Sequence, residues 1–93
     1  MEKKKSEHFV YILKCNDGTL YTGYTTNMER RLSMHENGKG AKYTRGRGPF
    51  KIVYSKRFST KQEALREEYR LKKLRRRDKE SLINLEKEGK AKN

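Results

Sequence analysis

The stretch HFVYILKC–NDG–TLYTGYT (residues 8–25) constrains this chain more than any other. Its first part is apolar, β-branched and aromatic, as a strand requires, and Asn16-Asp17-Gly18 is a hairpin turn signal. With all three residues in the turn, Cys15 faces Thr19 and Tyr11 faces Gly23. Side chains alternate along a strand, so Tyr11, Leu13, Tyr21 and Gly23 then share one face of the hairpin. A two-residue turn would put the two tyrosines on opposite faces.

Beyond the hairpin the chain reads as helix, strand, helix, helix. Thr26-x-x-Glu29 has the form of a capping box, and Asn37-Gly38 is a stop. Between them Met28, Arg31, Leu32 and His35 repeat at the spacing of a single helical face, so Arg31 and His35 are neighbours. Residues 50–55 (FKIVYS) form a third strand. Thr60-x-x-Glu63 opens a second helix, expected to run to Lys73, and a third is expected from Asp78. The order is ββαβαα, a small α/β (α+β) single domain with a three-stranded antiparallel sheet flanked by helices. The expected domain is 8–85, with flexible charged tails at 1–7 and 86–93.

On the second helix, Ala64, Leu65, Tyr69 and Leu71 define the expected buried face. Glu68 falls within it, whereas Glu67 points away. A carboxylate among core residues is costly unless a cation or hydrogen-bond donors meet it. Arg31 and a metal ion are the two candidate partners.

Charge bears on partners rather than on fold. The chain carries a net +13 with a pI near 10.0, so its natural partner is a polyanion. Residues 37–62 hold eight Lys or Arg and no acid, and the segment is rich in glycine. Within it Lys39, Lys42, Arg45 and Arg47 are placed to follow a phosphate backbone without reading sequence, and Tyr43 to stack on an exposed base. Cys15 is alone, so no intrachain disulfide forms, in keeping with a reducing compartment. The longest apolar run, 9–13, is far too short for a membrane span. The expectation is a cytoplasmic protein without a membrane partner.

The segment FVYILKCNDGTLYTGYTTNMERRLSMH resembles the opening of GIY-YIG nuclease domains, and the likeness continues to the helix EALREE. The first signature stands as Phe9-Val10-Tyr11 and the second as Tyr21-Thr22-Gly23. The family's helical arginine falls at Arg31, its histidine at His35 and its metal-binding glutamate at Glu68. The likeness spans about residues 8–85, and LYTG, GKGAKYTR and IVYS look like blocks shared with the small stand-alone bacterial members. Phe9, Val10 and Thr22 depart from the signatures but leave both tyrosines in place.

The resemblance implies metal-assisted hydrolysis of a phosphodiester, most naturally in DNA, directed by structure or lesion rather than by sequence. One carboxylate, Glu68, supports one Mg²⁺ or Mn²⁺, with water and phosphate oxygens completing its shell. Arg31 is then a phosphate clamp, Tyr21 the general base, His35 the relay for its proton, and Tyr11 the residue that positions Tyr21 or the water. Gly23 lets substrate or helix approach the sheet. The alternative is a nucleic-acid-binding module, for DNA or RNA, that keeps the fold without cutting; a partner protein supplying specificity fits either. The third class is an adaptor for an acidic protein.

Overall fold

The computed structural model describes residues 7–92, with side chains from 7 to 85. Three strands, β1 (His8–Lys14), β2 (Leu20–Thr25) and β3 (Lys51–Phe58), alternate with α1 (Met28–Glu36), α2 (Lys61–Lys72) and α3 (Arg76–Lys92) in the order ββαβαα. The sheet order is β2-β1-β3, antiparallel throughout. A bulge between Ile12 and Leu13 interrupts the β1–β3 register. The N-terminal tail expected over 1–7 lies outside the described residues apart from Glu7. At the other end, the helical backbone of α3 runs past the expected boundary at 85.

The turn behaves as its composition requires. Cys15 N–H donates to Thr19 O at 2.8 Å, and Gly18 adopts φ +87°, a conformation that glycine reaches without steric cost. The register matches: Tyr11 opposes Gly23 and Leu13 opposes Tyr21.

β1 is the central strand, and both of its faces are covered. Val10 and Ile12 pack with Tyr54, Ala64, Leu71 and Ile83 beneath α2 and α3. Tyr11 and Leu13 pack with Cys15 and Phe50 on the opposite side, where Met28 and Leu32 of α1 close over them. This explains why residues 10–13 are apolar without alternation: all four are fully buried.

Four local expectations are corrected. Asn27, not Thr26, caps α1: its side chain accepts from Arg30 N–H at 3.0 Å, which leaves Glu29 one position short of a capping box. Thr60 does cap α2, accepting from Glu63 N–H at 3.2 Å. β3 extends three residues further than expected, to Phe58, because β1 continues to pair with it. α3 starts at Arg76, where Arg76 bonds Glu80 one turn on.

The buried face of α2 is the fourth correction. Leu65 and Tyr69 are exposed, and the face toward the sheet is Ala64, Glu67, Glu68 and Leu71. These four positions form a stripe about 100° wide, the usual width for a helix on a sheet. Glu67 therefore does not point away. It is half-buried and accepts from Tyr54 Oη at 3.3 Å and from Arg70 at 3.0 and 2.8 Å. These donors, Arg70 foremost, hold its carboxyl below the ordinary range.

Candidate active site

Three segments meet on the face of the sheet covered by α1. β1 brings Tyr11, β2 brings Tyr21 and Gly23, and α1 brings Arg31 and His35. The Tyr11 ring lies directly over Gly23, where an added Cβ would stand 2.5 Å from the phenolic oxygen. Gly23 is thus what allows Tyr11 to cross the neighbouring strand.

Tyr11 Oη and His35 Nε2 are 3.0 Å apart, and His35 Nδ1 lies 2.8 Å from Thr44 Oγ1. The Thr44 hydroxyl gives its one proton to Ala41 O at 2.9 Å, so toward the imidazole it accepts. Nδ1 therefore carries the histidine's proton, and Nε2 accepts from the Tyr11 hydroxyl. Arg31 Nε–H donates to the same phenolic oxygen at 3.4 Å. The result is one directed chain, Arg31 to Tyr11 to His35 to Thr44 to Ala41 O.

Burial sets the charge states along that chain. Burial and then the Arg31 charge push the His35 pKa down, so the imidazole is neutral at pH 7. Desolvation raises Tyr11; Arg31 opposes this, while Tyr21 and Glu68 add to it. Bonding to Tyr11, and interaction with both phenols, raise Arg31 and keep it cationic.

Tyr21 is half-buried, while Tyr11 has no exposed surface. The Tyr21 ring stands edge-on to His35 at 5.3 Å between centroids and stacks on Tyr43 at 6.0 Å. His35 thus hydrogen-bonds Tyr11 and meets Tyr21 only through a ring contact: α1 holds Nε2 against the strand that lies under it. Glu68 is half-buried and pairs with Lys72 at 3.1 Å rather than with Arg31. Its charge still reaches the Tyr11 phenol, because α2 packs against both β1 and β2.

The basic loop divides. Lys39, Lys42 and Arg45 have no ion pair among the described residues, and all three are exposed. Arg47 is committed elsewhere: it donates to Asp17 Oδ2 at 2.5 Å and to Tyr43 O at 2.6 Å, and lies 4.8 Å from the centre of the Tyr43 ring. Its charge fastens the loop to the β1–β2 turn. Tyr43 is half-exposed, but Tyr21 and Arg47 already flank its ring.

Sequence reasoning missed two residues of the site. Thr44 fixes the histidine tautomer from a short 3₁₀ turn (Lys42–Thr44). Gly40 makes room for the imidazole, since a Cβ there would collide with His35 Nδ1. No periodicity marks either one; the sole hint is an uncharged β-branched residue within a loop of glycines and cations.

A divalent ion can be tested against the donors present. Among the described residues no three His, Cys, Asp or Glu side chains gather into a metal-binding group. The donor set is one carboxylate, Glu68, whose charge reaches the Tyr11 phenol. That suits a hard ion such as Mg²⁺, which keeps several waters and takes one or two carboxylates together with substrate phosphate.

A ββαβαα domain with this constellation on its sheet is of the nuclease-superfamily type, and the chain belongs to the GIY-YIG family. The model of the GIY-YIG catalytic domain matches residues 7–84. Within it the chain is similar to UPF0213 proteins: it is 61% identical to UPF0213 protein OB0043 of Oceanobacillus iheyensis over 80 residues, covering 86% of this chain and 93% of the relative. The solution NMR structure of UPF0213 protein BH0048 from Bacillus halodurans superposes with a TM-score of 0.58 at 58% identity, covering 85% of this chain and 84% of that one. That of EF2693 from E. faecalis gives 0.61 at 45% identity, with 91% and 90% covered. Both solved relatives bear out the three-stranded sheet with its helices.

Proposed function

We propose that this protein is a metal-dependent endonuclease that hydrolyses phosphodiester bonds in DNA, directed by structure or lesion rather than by sequence. The observation that carries the proposal is the convergence of Tyr21, Arg31 and the Tyr11–His35 pair from three segments, with the Glu68 charge close enough to act on Tyr11. The family is a nuclease superfamily, which supports the reaction class.

Arg31 bonds Tyr11 through Nε and also bonds Tyr21, so it stands between the two phenols and offers its remaining N–H groups to the oxygens of a phosphate, where negative charge builds as the bond breaks. The Tyr11–His35–Thr44 chain holds the guanidinium in that orientation. Exposure separates the two tyrosines: Tyr21 reaches solvent and Tyr11 does not, so Tyr21 is the phenol that meets the attacking water. It stands as the general base for that water. Glu68, freed from Lys72, would hold the divalent ion, which supplies Lewis-acid polarisation of the phosphate.

The experiment is cleavage of labelled plasmid, single-stranded, flap, fork, abasic and RNA substrates with Mg²⁺ or Mn²⁺. Wild type should cut, and Tyr21→Phe and Glu68→Gln should each be slower by about 10²–10⁴-fold. One observation favours the second reading, a binding module: Glu68 already has a cation partner in Lys72. No cutting by wild type, with equal binding by all three proteins, would establish that alternative.

A further inference from the structure

Beside the candidate site, a cleft of about 150 Å³ opens between Thr19 and Leu20 at the start of β2, Tyr43 on the basic loop, and Arg76 and Lys79 on α3. Arg76 and Lys79 are three apart and so share a helical face. Arg76 is held on both sides, its Nη2 on Gly18 O at 2.7 Å and its Nε on Glu80 at 2.8 Å. That fixes the guanidinium at the wall and ties α3 to the β1–β2 turn. Lys79 differs: it is half-buried, and no ion pair reaches it among the described residues.

The surroundings of Lys79 call for an anion. Burial, and then the nearby Lys72 ammonium, lower its affinity for a proton. Lys72 in turn bonds Glu68, so one lysine stands between Lys79 and the carboxylate of the candidate active site. Tyr43 belongs to both places, stacking on Tyr21 and lining the cleft.

We propose that this cleft binds a phosphate group of the nucleic-acid strand, next to the phosphate clamped by Arg31, with Lys79 as its principal cation, Arg76 as a fixed second donor and Tyr43 as the wall between the two positions. The proposal rests on the nucleic-acid substrate inferred above, and it assigns α3 the task of holding the strand in register with the reacting bond.

The test is binding without chemistry. Anisotropy of a fluorescein-labelled single-stranded oligonucleotide in EDTA is measured across a salt series for wild type, Lys79→Gln, Lys79→Arg and Lys61→Gln, the last an exposed lysine on α2 outside the cleft. The slope of log K against log salt should shrink by about 0.7 in Lys79→Gln, the loss of one phosphate contact on a single strand. Lys79→Arg should restore it and Lys61→Gln should keep it. A slope for Lys79→Gln equal to that of wild type or of Lys61→Gln overturns the proposal. In parallel, backbone amide shifts of Thr19, Leu20, Tyr43 and Lys79 are followed with the oligonucleotide and with inorganic phosphate. Perturbation by the oligonucleotide at lower concentration supports a strand site, while perturbation by free phosphate alone overturns it. Wild-type cleavage with Mg²⁺ is read separately. A slope effect without cutting means that the nuclease proposal fails while the cleft stands; cutting without a slope effect means the reverse.

Discussion

Tyr11 donates its phenolic proton to His35 Nε2 at 3.0 Å, across from strand β1 to helix α1. The direction is set from the far side of the imidazole, where Thr44 accepts the Nδ1 proton because its own hydroxyl bonds Ala41 O. A loop residue thereby determines which nitrogen of a buried histidine faces the site, and through Tyr11 it orients the arginine that would meet a phosphate.

Thr44→Val removes that acceptor while keeping the shape. The Nδ1–H is then left buried without a partner, which costs about 1–3 kcal/mol. Denaturant midpoints should show this loss, ¹⁵N spectra should show the tautomer no longer fixed, and Thr44→Ser should restore both. A wild-type midpoint in Thr44→Val would mean that the bond contributes nothing.

Gly23→Ala places a methyl 2.5 Å from the Tyr11 oxygen. The backbone of Gly23 is ordinary strand, so the cost is steric alone. The Tyr11 ring is packed on all sides and can move only by disturbing the core, a strain of about 1–3 kcal/mol. Thermal melting should register it, and any cleavage activity should fall with it, because Arg31 and His35 both take their position from that hydroxyl.

Stability should depend on pH through His35. Its pKa is lowered from the ordinary 6.5 by burial and by Arg31, so the unfolded chain binds the proton more readily than the folded one. The contribution is fully present above about pH 6.5. It is lost as pH falls below that value toward the folded-state pKa. Unfolding free energies between about pH 7.5 and 5.5 should therefore decline in wild type and flatten in His35→Gln. Equal slopes in the two proteins would refute this origin.

The two tyrosines should separate under Phe substitution. Tyr11→Phe leaves His35 Nε2 unpaired in the core and should destabilise by about 1–3 kcal/mol. Tyr21→Phe leaves the Tyr11–His35–Thr44 bonds in place, removes only a bond to the half-buried Arg31, and should melt close to wild type, while cleavage is lost. Circular-dichroism melts beside the nuclease assay distinguish them; a large stability loss in Tyr21→Phe would place it among the structural residues.

Much of the fold was legible because its rules are local. A three-residue turn with a left-handed glycine, followed by strict alternation, puts Tyr11 beside Gly23 and Leu13 beside Tyr21. Helical spacing puts Arg31 next to His35. Each depends on neighbours a few residues apart, and a string of residues carries that information in full. The remainder depends on which surfaces meet, and no local rule reaches it. The sheet meets α2 along Ala64, Glu67, Glu68 and Leu71, although Leu65 and Tyr69 are the more apolar side chains. The same meeting of surfaces gave Tyr11 to His35, Arg47 to Asp17, and the tautomer of a buried imidazole to a threonine nine residues away. Spacing fixes what shares a face; only packing between distant segments fixes what that face is pressed against.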